Sequence, residues 1–110
     1  MFEHLFFTQL RALASARDAE LRISTFRTEH GAEVDFIIEA AGLLWAVECK
    51  ASRNVGPADL RGFRSFGEVT KRKHRQLVAY LGDTARTISG VDVLPWQEAL
   101  REIDAAITQQ

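Results

Sequence analysis

Gly31-Ala-Glu-Val-Asp-Phe-Ile-Ile-Glu39, followed after a short turn by Leu44-Trp-Ala-Val-Glu-Cys-Lys-Ala-Ser52, is the stretch whose reading decides the fold. Val34, Phe36 and Ile38 alternate along the first half, and Trp45, Val47 and Cys49 along the second. Such a period of two marks a pair of strands, and here a β-hairpin. Ala40-Ala41-Gly42-Leu43 supplies the turn, with Gly42 free to take a positive φ. In the register that sets Ile38 opposite Trp45, Phe36 falls opposite Val47 and Asp35 opposite Glu48. One face then gathers Val34, Phe36, Ile38, Trp45, Val47 and Cys49. The other gathers Asp35, Ile37, Glu39, Ala46, Glu48 and Lys50.

Polar residues on one side of a strand are ordinary. Two carboxylates directly across an antiparallel pair are not, because at roughly 5 Å between Cβ atoms they repel. Lys50 lies two residues beyond Glu48 and points to the same side. A solvated charged face with a Glu–Lys neighbour accounts for this pattern. So does a divalent cation, since hard ions such as Mg²⁺ are held by one or two carboxylates together with water and substrate phosphate.

Asp35 followed by Glu48-Cys49-Lys50 on the next strand resembles the D…(D/E)-x-K signature of the PD-(D/E)xK nuclease superfamily. Val34 stands where the superfamily's name has proline. More specific blocks surround the signature: Arg27-Thr28 with Gly31-Ala-Glu-Val-Asp35, Trp45-Ala-Val-Glu-Cys-Lys-Ala-Ser52, Asp59-Leu-Arg-Gly62 and Val93-Leu-Pro-Trp96. Together they resemble the DUF4143 domain, found at the C-terminal end of many prokaryotic AAA-type ATPases. The resemblance spans residues 1–100. Its relatives commonly carry an ATPase domain in front, whereas this sequence has no phosphate-binding loop of the form GxxxxGK[ST]. A C-terminal fragment or a shortened relative is therefore expected.

The 110 residues are expected to form one domain with a single modest core. A hydrophobic fraction of 46% and a charged fraction of 26% are ordinary for a globular chain. No apolar run approaches membrane-spanning length, and no signal-peptide pattern opens the chain. Cys49 is the single cysteine, which rules out an intramolecular disulfide, and His4, His30 and His74 are too scattered for a Cys/His metal site. A cytoplasmic location is the expectation. Net charge is only −1, but residues 50–75 carry eight basic side chains against two acidic ones. Arg53, Arg61, Arg64, Lys71, Arg72 and Lys73 belong to this run. It reads either as a solvated helix and loop or as a patch that follows a phosphate backbone.

Along the chain, residues 1–16 read as an amphipathic helix with Phe2, Leu5, Phe6, Leu10 and Leu13 as its stripe. Glu3 lies in its first turn, where negative charge suits the helix dipole. Residues 19–28 read as a strand with an irregularity before Phe26. Pro57 suits the start of a helix that buries Leu60, Phe63 and Phe66 and ends near Gly67. Residues 68–74 read as a cationic connection, 76–81 as an interior strand with Gln76 at its entrance, and a loop begins at Gly82. Residues 91–94 form a last strand stopped by Pro95. Trp96, Ala99, Leu100, Ile103 and Ile107 stripe a closing helix, with residues 108–110 expected to fray.

The order is helix, three strands, helix, two strands, helix. It matches the α/β fold that the resemblance implies: a restriction-endonuclease-like αβββαβ core, with a mixed central sheet flanked by helices. The resemblance also implies chemistry. Asp35 and Glu48 would hold Mg²⁺ or Mn²⁺, with Glu3 and the backbone carbonyl of Cys49 as further ligands, and Lys50 would stabilise developing charge. Arg53, Arg61 and Arg64 would position nucleic acid, with DNA favoured, through its phosphates. Lys71, Arg72 and Lys73 would extend that surface, and Gln76 would contact DNA or the metal's water. The side chain of Cys49 packs inward as a small hydrophobe. Two other classes stay open: a non-catalytic docking module for DNA or for an AAA-type ATPase, and a structural domain that forms homo-oligomers.

Overall fold

The computed structural model describes residues 2–17 and 20–108. The chain runs α1 (Phe2–Ala16), β1 (Arg22–Arg27), β2 (Glu33–Ala40), β3 (Leu43–Lys50), a 3-10 turn (Pro57–Leu60), α2 (Arg61–Thr70), β4 (Arg75–Tyr80), β5 (Arg86–Ile88), β6 (Val91–Pro95) and α3 (Trp96–Thr108). Residue 19, where the sequence starts the first strand, lies outside the described residues, as do residues 1, 109 and 110.

The strands make one six-stranded mixed sheet in the order β1-β2-β3-β4-β6-β5. β1, β2 and β3 form an antiparallel meander. Ile38 pairs with Trp45 and Phe36 with Val47, as the alternation requires. Ala41 and Gly42 take φ of 54° and 78°, the two positive values that a tight hairpin turn of matching twist demands. β3 and β4 are parallel, joined by the 3-10 turn and α2. β6 then adds parallel to β4.

Both faces of the sheet are covered. α1 and α3 pack on one face, where Phe6, Leu10, Leu100 and Ile103 meet Ile38, Trp45, Val47, Leu77 and Leu94. The 3-10 turn and α2 cover the other, where Leu60, Phe63 and Phe66 meet Val34, Ile37, Ala46, Val78 and Val93. Among the described residues no helix is long and apolar enough to cross a membrane.

Several expectations need correction. The second face of the hairpin is not solvated along its length: Ile37 and Ala46 are buried beneath α2, and the face opens toward solvent only at its two ends, at Glu39 and at Asp35, Glu48 and Lys50. Val34 packs on this α2 side rather than with Phe36 and Ile38. The cause is an irregularity in pairing. Between Ser24 and Phe26, β1 advances two residues while β2 advances three, from Ile37 to Val34. The extra residue in β2 is a bulge, which resets the inside–outside parity of everything before it.

Leu5 is 43% exposed and stands outside the α1 stripe. The helix after Pro57 begins as a 3-10 turn and continues to Thr70, past the Gly67 at which the sequence ends it. Lys71, in the left-handed conformation, caps α2 by donating its N–H to the Gly67 carbonyl. The segment after Gly82 is not all loop: β5 pairs antiparallel with β6 across a turn at Ser89 and Gly90, whose φ values are 51° and 79°. Pro95 is the last paired residue of β6, opposite Tyr80, and α3 starts at the next residue.

Candidate active site

The backbone ladder between β2 and β3 is paired from Ala40–Leu43 as far as Phe36–Val47. Beyond that point side chains take over. The Asp35 N–H donates to Glu48 Oε1 at 2.9 Å, and the Cys49 N–H donates to Asp35 Oδ2 at 2.8 Å. Each strand thus lends a carboxyl to an amide of the other. The bulge makes this possible, because it turns Asp35 out of simple alternation at the position where the ladder ends.

This position is costly for two negative charges. Burial, followed by the charge of Asp35, pushes Glu48 up to about 8. Burial also raises Asp35, although the Cys49 amide and a hydrogen bond with Glu48 pull it back. Burying the two acids together therefore favours a proton held by the pair. Glu3, at the start of α1, adds negative charge that acts on both Asp35 and Cys49. Burial drives the Cys49 thiol far up, and its side chain packs against the α1–α3 core, as a small hydrophobe would.

Lys50 follows two residues after Glu48 on the α2 side of the sheet. Its Nζ donates to Asp59 Oδ1 at 2.9 Å. The other oxygen of Asp59 accepts the Gly56 N–H at 2.9 Å and caps the 3-10 turn. The Gly56 amide, and then the Lys50 ammonium, hold the Asp59 carboxyl below the usual carboxylate range. Sequence reasoning gave Asp59 no role at the site. The signal was present in the spacing Gly56-Pro57-Ala58-Asp59, an acidic residue three places after the residue that precedes a helical turn.

The remaining candidates fall at two ends of the molecule. Arg61, at the start of α2, donates to the Gly31 carbonyl at 3.3 Å and so sits near the N-terminal end of β2, with Asp35 and Lys50. Arg64 is exposed one turn further along α2, and Arg53 is exposed in the loop after β3. Lys71, Arg72 and Lys73 precede β4, whose first residue Arg75 pairs with Trp45 while its last, Tyr80, pairs with Lys50. At about 3.3 Å per residue, those five steps put this basic trio roughly 17 Å from Lys50 along the strand direction. Arg72 there meets Glu39 at 3.6 Å. Gln76, also at that end, donates to the Phe63 carbonyl at 3.4 Å and contacts His74 Nε2 at 3.1 Å. The run from 50 to 75, continuous in sequence, is thus two patches in space.

Among the described residues, no three His, Cys, Asp or Glu side chains come together as a metal-holding group. Asp35 and Glu48 stand as a pair, and further ligands for a cation would have to come from backbone, water or phosphate. The pair itself suits a hard divalent ion. Its donors are all oxygen, and its raised affinity for protons is what a bound cation would relieve.

The chain matches the family described as Domain of unknown function (DUF4143) over residues 1–99. It belongs to that family. The match takes in α1, the whole sheet and the start of α3, so every site residue named above lies inside it. No curated protein matches the chain. One of the DUF4143 blocks quoted from the sequence falls at a close backbone crossing. At Gly62 an added Cβ would stand 2.0 Å from the Glu33 carbonyl oxygen, so α2 crosses β2 too closely for any side chain.

Proposed function

We propose that this DUF4143 domain is a metal-dependent nuclease-like hydrolase of phosphodiester bonds, with nucleic acid, and DNA first, as substrate. The observation that carries the reading is the carboxyl exchange between Asp35 and Glu48 at the open end of the β2–β3 hairpin. Three antiparallel strands, a helical crossover and a parallel fourth strand support placing the chain with the restriction-endonuclease-like PD-(D/E)xK folds.

In this reading Asp35 and Glu48 hold Mg²⁺ or Mn²⁺ with the Cys49 carbonyl. Such an ion supplies an activated water and screens the phosphate. A proton held by the pair must leave for this, so cation binding and deprotonation are linked. Lys50, directed by its ion pair with Asp59, stabilises negative charge that develops on the phosphate oxygens. Glu3 contributes negative potential that favours the cation. Arg61 and Arg64 align the strand by phosphate contacts, which fix register without reading bases.

The Lys50–Asp59 ion pair also favours a second reading, because an amine held this way serves structure as well as chemistry. In that reading the domain is a non-catalytic docking module for an AAA-type ATPase or for DNA. A cytoplasmic location is compatible with either reading. A nuclease assay with Mn²⁺ on the wild type beside Glu48→Ala and Lys50→Ala decides between them. The nuclease reading expects cleavage by the wild type alone; equal activity in all three refutes the site, and DNA binding with no cleavage by any supports the docking module.

A further inference from the structure

A cleft of about 330 Å³ opens between the 3-10 turn with α2 on one side and the β5–β6 turn on the other. Its apolar walls are Pro57, Leu60 and Val91. Arg61, Arg64 and Ser89 bring polar groups to it, and Ala58 lies on its lip. Arg61 spends one nitrogen on the Gly31 carbonyl. Arg64 has no hydrogen-bond or ion-pair partner among the described residues. Nearby Arg86 donates to the Val55 carbonyl, also without a carboxylate. Asp59, the acid built into the same turn, is already committed to Lys50 and Gly56. The cleft is therefore cationic and half apolar, with no internal counter-charge.

We infer that this cleft seats one unpaired nucleotide of a single-stranded nucleic acid, its base against Pro57, Leu60 and a guanidinium plane and its phosphate on Arg64. The volume is at the small end of the roughly 300–1,000 Å³ usual for ligand pockets, which admits a nucleotide and excludes a base pair. Unpaired bases stack on guanidinium planes and apolar walls, and the flanking phosphates take the charge. One residue links the cleft to the acidic site. The turn that forms its wall carries Asp59, and Asp59 holds Lys50. The inference names the substrate class of the proposed nuclease and rests on that reading for its consequence in cleavage, though binding is measured separately.

The test uses the full chain carrying Asp35→Asn, so that no strand is cut. Fluorescence anisotropy follows its binding to a labelled oligo-dT strand and to a blunt duplex of equal length. The strand is expected to bind about tenfold more tightly than the duplex, one stacked base's worth of affinity. Arg64→Glu removes that preference. Ala58→Trp fills the cleft without changing charge and also removes it, while Arg101→Glu, the same charge change on exposed α3, does not. Circular dichroism confirms that each variant is folded. Equal affinity for duplex and strand, or binding untouched by Ala58→Trp, overturns the inference. So does displacement of the strand by thymidine monophosphate at equal concentration, which would make the cleft a free-nucleotide site. A wild type that fails to cut while strand binding stays Arg64-dependent sinks the nuclease reading alone. Cutting without Arg64- and Ala58-dependent binding sinks the cleft alone.

Discussion

Asp35 and Glu48 each accept a hydrogen bond from the opposite strand: the Asp35 amide reaches Glu48, and the Asp35 carboxyl receives the Cys49 amide. The two carboxyls thereby replace the missing end of the β2–β3 ladder. They close the sheet locally and hold two acidic groups where burial resists charge.

A pH dependence follows. Glu48 is pushed from 4.5 to about 8 in the folded chain, and Asp35 is raised as well. Between those values the native state binds more protons than the unfolded chain, so stability falls as pH rises. The contribution is complete below the unfolded value and gone above about pH 8. The melting temperature without divalent ions is expected to drop from pH 5 to pH 8, and Glu48→Gln to flatten that drop. A wild-type melting temperature that is level or rising across this range contradicts the assignment.

Divalent ions should reverse the same trend. At 100 times its dissociation constant a ligand stabilises the state it binds by about 2.7 kcal/mol. Titrating Mn²⁺ at pH 8 is expected to raise the melting temperature of the wild type but not of Asp35→Asn. The readout is stability, so it holds whether or not the protein cuts nucleic acid.

Asp59→Ala should do two separable things. Loss of the cap on the 3-10 turn costs about 1 kcal/mol, measured by urea unfolding. Loss of the Lys50 anchor lowers Mn²⁺-dependent cleavage while leaving Mn²⁺ stabilisation in place. Asp59→Asn, which keeps an oxygen for the Gly56 amide, is expected to restore stability and not cleavage.

Gly62→Ala sets two effects against each other. Alanine favours helix over glycine by about 1 kcal/mol. Here, however, its Cβ meets the Glu33 carbonyl oxygen at 2.0 Å and the carbonyl carbon at 2.7 Å, backbone atoms that can yield only by moving β2. Overpacking of this kind costs about 1–3 kcal/mol. A net loss of stability is expected in urea unfolding, and a gain would show that α2 can lift away freely.

Ile103→Ala removes a fully buried side chain from the α3 face of the core. A cost of about 2–5 kcal/mol is expected from the lost burial and the cavity left behind, again read by urea unfolding.

Much of this was open to a reader of the sequence because it depends on neighbours along the chain. Strand alternation over residues 36–38 and 45–49, the turn at Gly42 and the stripes of α1 and α3 arise from local backbone geometry and side-chain spacing. The same spacing put Asp35 near Glu48 and set Glu48 and Lys50 on one side of β3. Tertiary structure decided the rest. The bulge that reverses Val34 shows only when β1 is laid beside β2. The burial of Ile37 and Ala46 depends on α2 folding back over the sheet. The parallel crossover sends residues 71–73 to the far end of β4, away from Arg61, and the capping of the 3-10 turn delivers Asp59 to Lys50. Sequence alone fixed which side chains carry charge and at what period they recur. Which charges meet, and which are forced to share a proton, was set by the path of the chain, because electrostatic energy depends on distance and burial in space.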